Sequence, residues 1–153
     1  MAICAEIGSV QVSRITDSAI IPTRAHATDA GYDLYADLNN SFVLIKPGET
    51  KLVGTGIKIA IPRGYVGLIW DRSSMGVKGI HRYAGVIASG YRGEVKVCLH
   101  NSNPEEAKNN YVIETGDRIA QIIIQQAPVF EIREVKNLEE GDRGNNGFGS
   151  SGR

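Results

Sequence analysis

Short β-patterned runs, some apolar throughout and some alternating apolar and polar residues, fill most of the chain, and turn residues separate them. Phe42–Ile45 leads into Lys46-Pro47-Gly48-Glu49, with proline second and glycine third as a type II turn prefers. Lys51–Val53 follows, then Gly54-Thr55-Gly56, then Ile57–Ile61, which alternates as a half-buried strand should. Pro62-Arg63-Gly64 turns the chain into Tyr65–Trp70. Glu94–Leu99 alternates again, and Tyr111–Ile113 and Ile119–Ile124 complete the set. Helical signals are few. One short helix is expected over Ser73–Lys78, where Ser73-Ser74 could cap it and Gly76 and Gly79 keep it short.

Strands of this length at regular spacing, with so little helix, predict an all-β fold: an antiparallel barrel or a double-sheet jelly roll. No internal repeat or interdomain linker is visible. Residues 1–138 read as one barrel domain and 139–153 as a flexible glycine-rich arm. In that arm only Phe148 is strongly apolar, so it cannot form a core element.

Composition narrows the function classes. The 153 residues suit a single domain, large enough to fold without disulfide or metal staples. Seventeen Lys and Arg balance seventeen Asp and Glu, which argues against a protein that coats nucleic acid or anionic membrane. No apolar stretch reaches membrane-spanning length, and no signal peptide is visible at the N-terminus. Cys4 and Cys98 stand among apolar residues and read as buried thiols of a reducing compartment, hence a soluble cytoplasmic or otherwise intracellular protein. His26, His81 and His100 are scattered without ligand spacing. Eighteen glycines are an excess, and they call for many tight turns or for backbone that approaches a ligand closely.

Five segments could carry chemistry. Gly144–Gly152 offers many backbone N–H groups on a pliable chain between Arg143 and Arg153, with Phe148 for a flat ring. A disordered terminus has the same composition. Asp71-Arg72-Ser73-Ser74 follows a strand at a helix start, which suits a phosphate or equally an N-cap beside a surface arginine. Ala84–Glu94 reads as a tight β-hairpin whose backbone could meet a ligand, or as a hairpin with ordinary turn glycines. Asp33 lies inside an apparent strand, and Gly116-Asp117-Arg118-Ile119-Ala120-Gln121 precedes an apolar run. Asp33, Asp117 and Arg118 could instead form structural ion pairs.

In this order the five segments resemble the motifs of the trimeric dUTPase family. They are Ala30–Ala36, Asp71–Gly76, Gly85–Glu94, Gly116–Gln121 and Arg143–Gly152. Pro22-Thr23-Arg24-Ala25, Lys46-Pro47-Gly48-Glu49 and Gly54-Thr55-Gly56-Ile57 are family-like as well. The resemblance implies a jelly-roll subunit in a homotrimer with three active sites shared between subunits. The implied reaction is dUTP plus water to dUMP and pyrophosphate, by in-line attack at the α-phosphorus. Mg²⁺ would be held by the triphosphate and waters, with no direct protein ligand. The match puts Arg72, Ser73, Ser74 and Gln121 near the phosphates, and Asp33 one layer out from the metal. Gly85, Val86, Ile87 and Lys96 fall at substrate-contact positions, with the third motif reading uracil through its backbone. Tyr91 would lie under the sugar, leaving no room for a 2′-hydroxyl. Arg143 would grip the γ-phosphate while Phe148, with Gly149 beside it, closes over uracil. Neither nucleic acid nor membrane is an expected partner.

Three departures stand out. The family's third motif usually reads Gly-Val-Ile-Asp, and that Asp orients the attacking water; here the position is Ala88. Binding with strongly impaired hydrolysis is therefore expected. The second motif normally opens with proline, where this chain has Asp71, which could pair with Arg72 or a neighbouring subunit. The stretch from Arg72 to Ala88 is shorter than in many members, which leaves the roles of His81, Arg82 and Tyr83 open. A non-catalytic nucleotide- or protein-binding module is the main competing reading. A dCTP deaminase relative is disfavoured because such proteins lack the fifth motif.

Overall fold

The computed structural model describes residues 8–141 and residue 144. In chain order the strands are β1 (Gln11–Arg14), β2 (Tyr32–Tyr35), β3 (Phe42–Ile45), β4 (Thr50–Ala60) and β5 (Tyr65–Trp70). After α1 (Ser73–Gly76), the single α-helix among the described residues, come β6 (Ile80–Tyr83), β7 (Val86–Ile87), β8 (Glu94–Asn101), β9 (Tyr111–Glu114) and β10 (Arg118–Gln126). They form two four-stranded sheets, β1-β4-β8-β6 and β2-β10-β5-β7, and the pair β3-β9. Every pairing is antiparallel. This is the expected jelly roll, a distorted barrel with one short helix.

Alternation puts the core between the sheets. On β8, Val95, Val97, Leu99 and Asn101 are buried while Lys96 faces outward. Leu34, Ile69 and Ile122 bury themselves from the second sheet, and Ile45 and Ile113 from the third. Each such aliphatic side chain contributes roughly 1.5–3 kcal/mol by leaving water. The same period of two corrects one expectation: Cys98 lies between inward-facing Val97 and Leu99 and is only half-buried. Cys4 falls outside the described residues. On β10, Ile119 and Ala120 are both buried, because the register against β2 slips between Arg118 and Ala120 and a bulge breaks the alternation.

The Gly54-Thr55-Gly56 segment is not a turn between two strands. One strand, β4, runs through it, with an irregularity in its pairing with β8 between Gly54 and Lys58. Gly56 has φ of 63°, and a Cβ there would collide with Asp37 and Ala19. The bulge lets Gly56 N–H donate to the Glu94 carboxylate at 3.1 Å while Asp37 accepts from Thr16 and Ser18. The Lys46–Glu49 turn is as expected: Glu49 N–H reaches the Lys46 carbonyl at 2.9 Å and Gly48 has φ of 75°. The Lys46 N–H, at 3.0 Å from the Glu49 carboxylate, is the first cause holding that carboxyl below its ordinary value.

β1 and β6 lack a clear alternating signal and were not expected from the sequence. β6 takes residues directly after the helix because β8 offers it a free edge, from Ile80 opposite Asn101 to Tyr83 opposite Cys98. Beyond Gln126 the described chain carries no helix or strand. Val129, Phe130, Ile132 and Leu138 project from it almost fully exposed. Among the described residues no helix is long and apolar enough to cross a membrane.

Asn101 closes one end of the core. It is fully buried, and its Nδ2 donates to the carbonyls of Ile45 at 3.0 Å and Asn109 at 2.8 Å. Its Oδ1 accepts from Asn103 N and Nδ2, so the amide is saturated and joins β3, β8 and the loop before β9. Asn101→Asp keeps the shape but removes both donors and buries a charge, so about 2–4 kcal/mol of stability should be lost. The midpoint of urea unfolding at fixed protein concentration measures it.

Candidate functional site

Three motifs meet at one end of the second sheet because register puts them there. Gln121 on β10 stands opposite Asp33 on β2 and opposite Trp70 on β5, so one row crosses three strands. Two residues beyond Trp70 the chain reaches Arg72 and enters α1.

The side chains in this corner converge. Arg72 Nε donates to Asp33 Oδ1 at 2.9 Å, and its Nη1 donates to Ser74 Oγ at 3.3 Å and to the Arg118 carbonyl at 3.2 Å. Arg118 Nη1 approaches Asp33 Oδ2 at 3.4 Å. The Asp33 side chain is only 14% exposed, so two guanidiniums compensate a carboxylate that has lost most of its water. Gln121 Nε2 donates to the Asp71 carbonyl at 2.8 Å. Its Oε1 lies where a Cβ on Gly31 would have to go, so only glycine lets the first and fourth motifs pack this closely.

The helix start differs from expectation. α1 ends at Gly76, and its N-cap is Arg72, with no side-chain cap bond. Ser73 and Ser74 are exposed helical residues rather than caps, which leaves their hydroxyls facing solvent beside Arg72. Met75 is buried and anchors the turn. In front of it opens a polar cleft of about 410 Å³, whose walls include Arg72, Ser74, Lys78, Tyr111, Asp117 and Arg118. The walls thus carry three cations and one carboxylate, Asp117, while Asp33 pairs with Arg72 and Arg118. Burial first, and the Asp117 carboxylate second, push the Tyr111 phenol above its ordinary value of 10.0.

The third motif does not form the expected hairpin. Val86 and Ile87 pair with Leu68 and Gly67 of β5, a turn closes with Tyr91 N–H on the Ala88 carbonyl at 3.0 Å, and β8 departs into the other sheet. The segment is a crossing between sheets, and its two limbs belong to different ladders. Ala88 is exposed on this turn. Gly85, at φ of 130°, accepts from Ile69 N–H at 2.8 Å. Tyr91 folds back so that its hydroxyl donates to the Glu94 carbonyl at 2.7 Å, and its ring covers Gly93, where a Cβ would strike it. Lys96, on the outer face of β8, pairs with Glu94 at 3.2 Å. Beside the crossing lies a second cleft, of about 510 Å³, lined by Leu68, Trp70, Arg82, Gly85 and Val86 among others.

Asp33, Arg72, Ser73, Ser74 and Gln121 therefore come together, while Gly85, Val86, Ile87, Ala88, Tyr91 and Lys96 form a separate group around the crossing. Arg143, Phe148 and Gly149 lie outside the described residues. Sequence reading passed over Lys78 and Tyr111, which belong to no motif and reach the cleft only through the fold. Within the described chain Asp71 does not pair with Arg72. Its carboxylate accepts from His81 Nδ1 at 3.0 Å and from Arg82 N–H at 2.8 Å.

Comparison with known proteins gives one answer. The sequence profile of the dUTPase family matches residues 17–152. The deoxyuridine 5′-triphosphate nucleotidohydrolase of Rhodococcus erythropolis is 46% identical over 149 residues, covering 94% of this chain and 86% of its own. The structure of a variant dUTPase of Staphylococcus bacteriophage 80alpha with dUpNHpp superposes with a TM-score of 0.86 at 30% identity, over 95% of this chain and 99% of that one. A variant dUTPase of phage phi11 of S. aureus, described with a structural Mg(II) ion, gives 0.78 at 27% identity, over 86% and 99%. The profile spans all five motifs, and the chain belongs to the dUTPase family of hydrolases.

Proposed function

We propose that this chain binds dUTP and holds the apparatus for its hydrolysis to dUMP and pyrophosphate, with turnover kept low by Ala88. The observation that carries the reading is the cationic cleft at Arg72, built by the first, second and fourth motifs of a dUTPase-family chain. Arg72, Ser73, Ser74 and Gln121 take phosphate oxygens, and the excess of cations over carboxylates attracts a polyanion. Phosphoryl transfer asks for positioning and charge neutralisation rather than covalent help, and these residues supply both to an in-line attack of water on the α-phosphorus.

Backbone groups of Gly85, Val86 and Ile87 read uracil, and Lys96 lies on the strand that follows. Cytosine presents the wrong donors and acceptors and leaves buried groups unpaired. Tyr91, pinned through its hydroxyl, forms a fixed wall under the sugar. The third motif meets β5 from Ile69 to Gly67, three to five residues before Arg72, or roughly 10–16 Å of strand. That separation supports sites shared between subunits of a homotrimer. We assign residues 1–138 to the barrel domain and 139–153 to an arm that closes over bound nucleotide with Arg143 on the γ-phosphate and Phe148, beside Gly149, on the base, which excludes water.

Among the described residues no three histidine, cysteine or carboxylate groups converge, and Asp33 is committed to two arginines. The residues therefore fit a cation carried by the triphosphate and its waters, with Asp33 behind them. Bound in that way, Mg²⁺ supplies neutralisation of phosphate charge. Such an enzyme serves intracellular nucleotide metabolism. A dUTP-binding module without turnover is the second reading, and Ala88 favours it, because a methyl group can neither accept a proton nor hold a water.

Incubation with dUTP, dCTP and UTP in Mg²⁺ should give binding of dUTP and slow pyrophosphate release from dUTP alone. Absence of dUTP binding overturns the proposal, and binding with no release selects the module. Ala88→Asp should raise turnover by about 10²–10⁴-fold; a rise below about tenfold would refute the role given to this position. Arg72→Gln removes a cationic fork that a neutral amide cannot replace. Calorimetry should then show affinity for dUpNHpp, the imido analogue of dUTP, falling at least about tenfold.

A further inference from the structure

One side chain braces the Arg72 turn from two directions. Asp71 Oδ1 accepts the backbone N–H of Arg82 at 2.8 Å, and Oδ2 accepts from His81 Nδ1 at 3.0 Å, both on β6. The Asp71 carbonyl accepts Gln121 Nε2 from β10 at 2.8 Å. The residue before Arg72 is thus tied to β10 of its own sheet and to β6 of the other.

The brace continues toward the third motif. The Arg82 guanidinium stands 4.0 Å from Asp71 Oδ1 and 4.9 Å from the centre of the Trp70 ring. Its Nη1 donates to the Ala84 carbonyl at 2.8 Å. Ala84 has φ of 62° and Gly85 of 130°. A left-handed alanine is strained and persists only where its surroundings hold it; the Arg82 bond to its carbonyl is such a hold. Proline, the usual opening residue of the second motif, has no side-chain acceptor and could make neither Asp71 bond.

We infer that Asp71 is a positioning residue for the nucleotide site, fixing the Arg72 turn directly and the entry to the third motif through Arg82. The inference deepens the reading of a dUTP site and rests on it. Asp71 follows β5 and its carboxylate is held by β6, whereas position 88 lies on the turn after β7. Asp71 acts on geometry: a phosphate ligand displaced by about 1 Å can cost about 10²-fold in a site of this kind.

The test is calorimetric titration of dUpNHpp with Mg²⁺ into wild type, Asp71→Asn and Asp71→Ala, with tryptophan emission recorded. Trp70 is the only tryptophan, so the emission reports on the brace itself. Asparagine can accept from Arg82 N–H and donate to a neutral His81, whereas alanine can do neither. Asp71→Ala should lose at least about tenfold in affinity and shift the emission, while Asp71→Asn should stay within about threefold and keep it. Wild-type affinity in Asp71→Ala, even with a lower melting temperature, would reduce the residue to a structural role and overturn the inference. Equal losses in the two variants overturn it as well. Arg82→Ala combined with Asp71→Ala should lose less than the product of the separate losses; a full product removes Arg82 from the brace. A wild-type chain without affinity for dUpNHpp overturns the dUTP reading and this inference together, whereas wild-type binding that Asp71→Ala leaves intact overturns the inference alone.

Discussion

A carboxylate nearly withdrawn from water organises this molecule. Asp33 is only 14% exposed, and it has two cationic partners, Arg72 at the start of α1 and Arg118 on β10, from different motifs. Those partners cannot move independently of it. Arg72 stays extended across the sheet end, Arg118 is drawn alongside, and the bulge in β10 after Arg118 brings its side chain within reach. The cleft's shape follows from this triad, and its electrostatics follow too, because the carboxylate offsets part of the cationic charge. Such a cluster tolerates loss of a partner poorly, since the remaining charge is left desolvated.

How much of this could be read from the sequence depended on the range of the interaction. β8 with its strict alternation, β5 as an apolar run entered from a turn, and the Lys46–Glu49 turn are local matters of side-chain pattern and backbone φ, and they matched. The glycine pair at 54 and 56 misled, because a glycine signals positive φ or close approach without saying which. Here it marks a bulge under two carboxylates rather than the end of a strand. The third motif misled for a related reason. Its residues have the turn chemistry of a hairpin, but the partner of β7 is β5, and nothing near Val86 in the chain carries that information.

The site was legible to the extent that it is written in motifs. Arg72, Asp33 and Gln121 were named from sequence and stand together. Lys78 and Tyr111 were not, since a lysine after a short helix and a tyrosine opening a strand occur everywhere. Asp71 was visible as a departure from the family pattern, yet its partners on β6 were not, because β6 has too few residues to show a period. Residues that depend on pairing across strands are those a linear reading loses.

Beyond the last strand, Val129, Phe130, Ile132 and Leu138 stand in water. Apolar surface left open in this way is a reservoir of free energy that any covering surface releases. A partner that covered it in the folded chain alone would stabilise the fold by mass action. The melting temperature would then follow the concentration of that partner as well as the sequence.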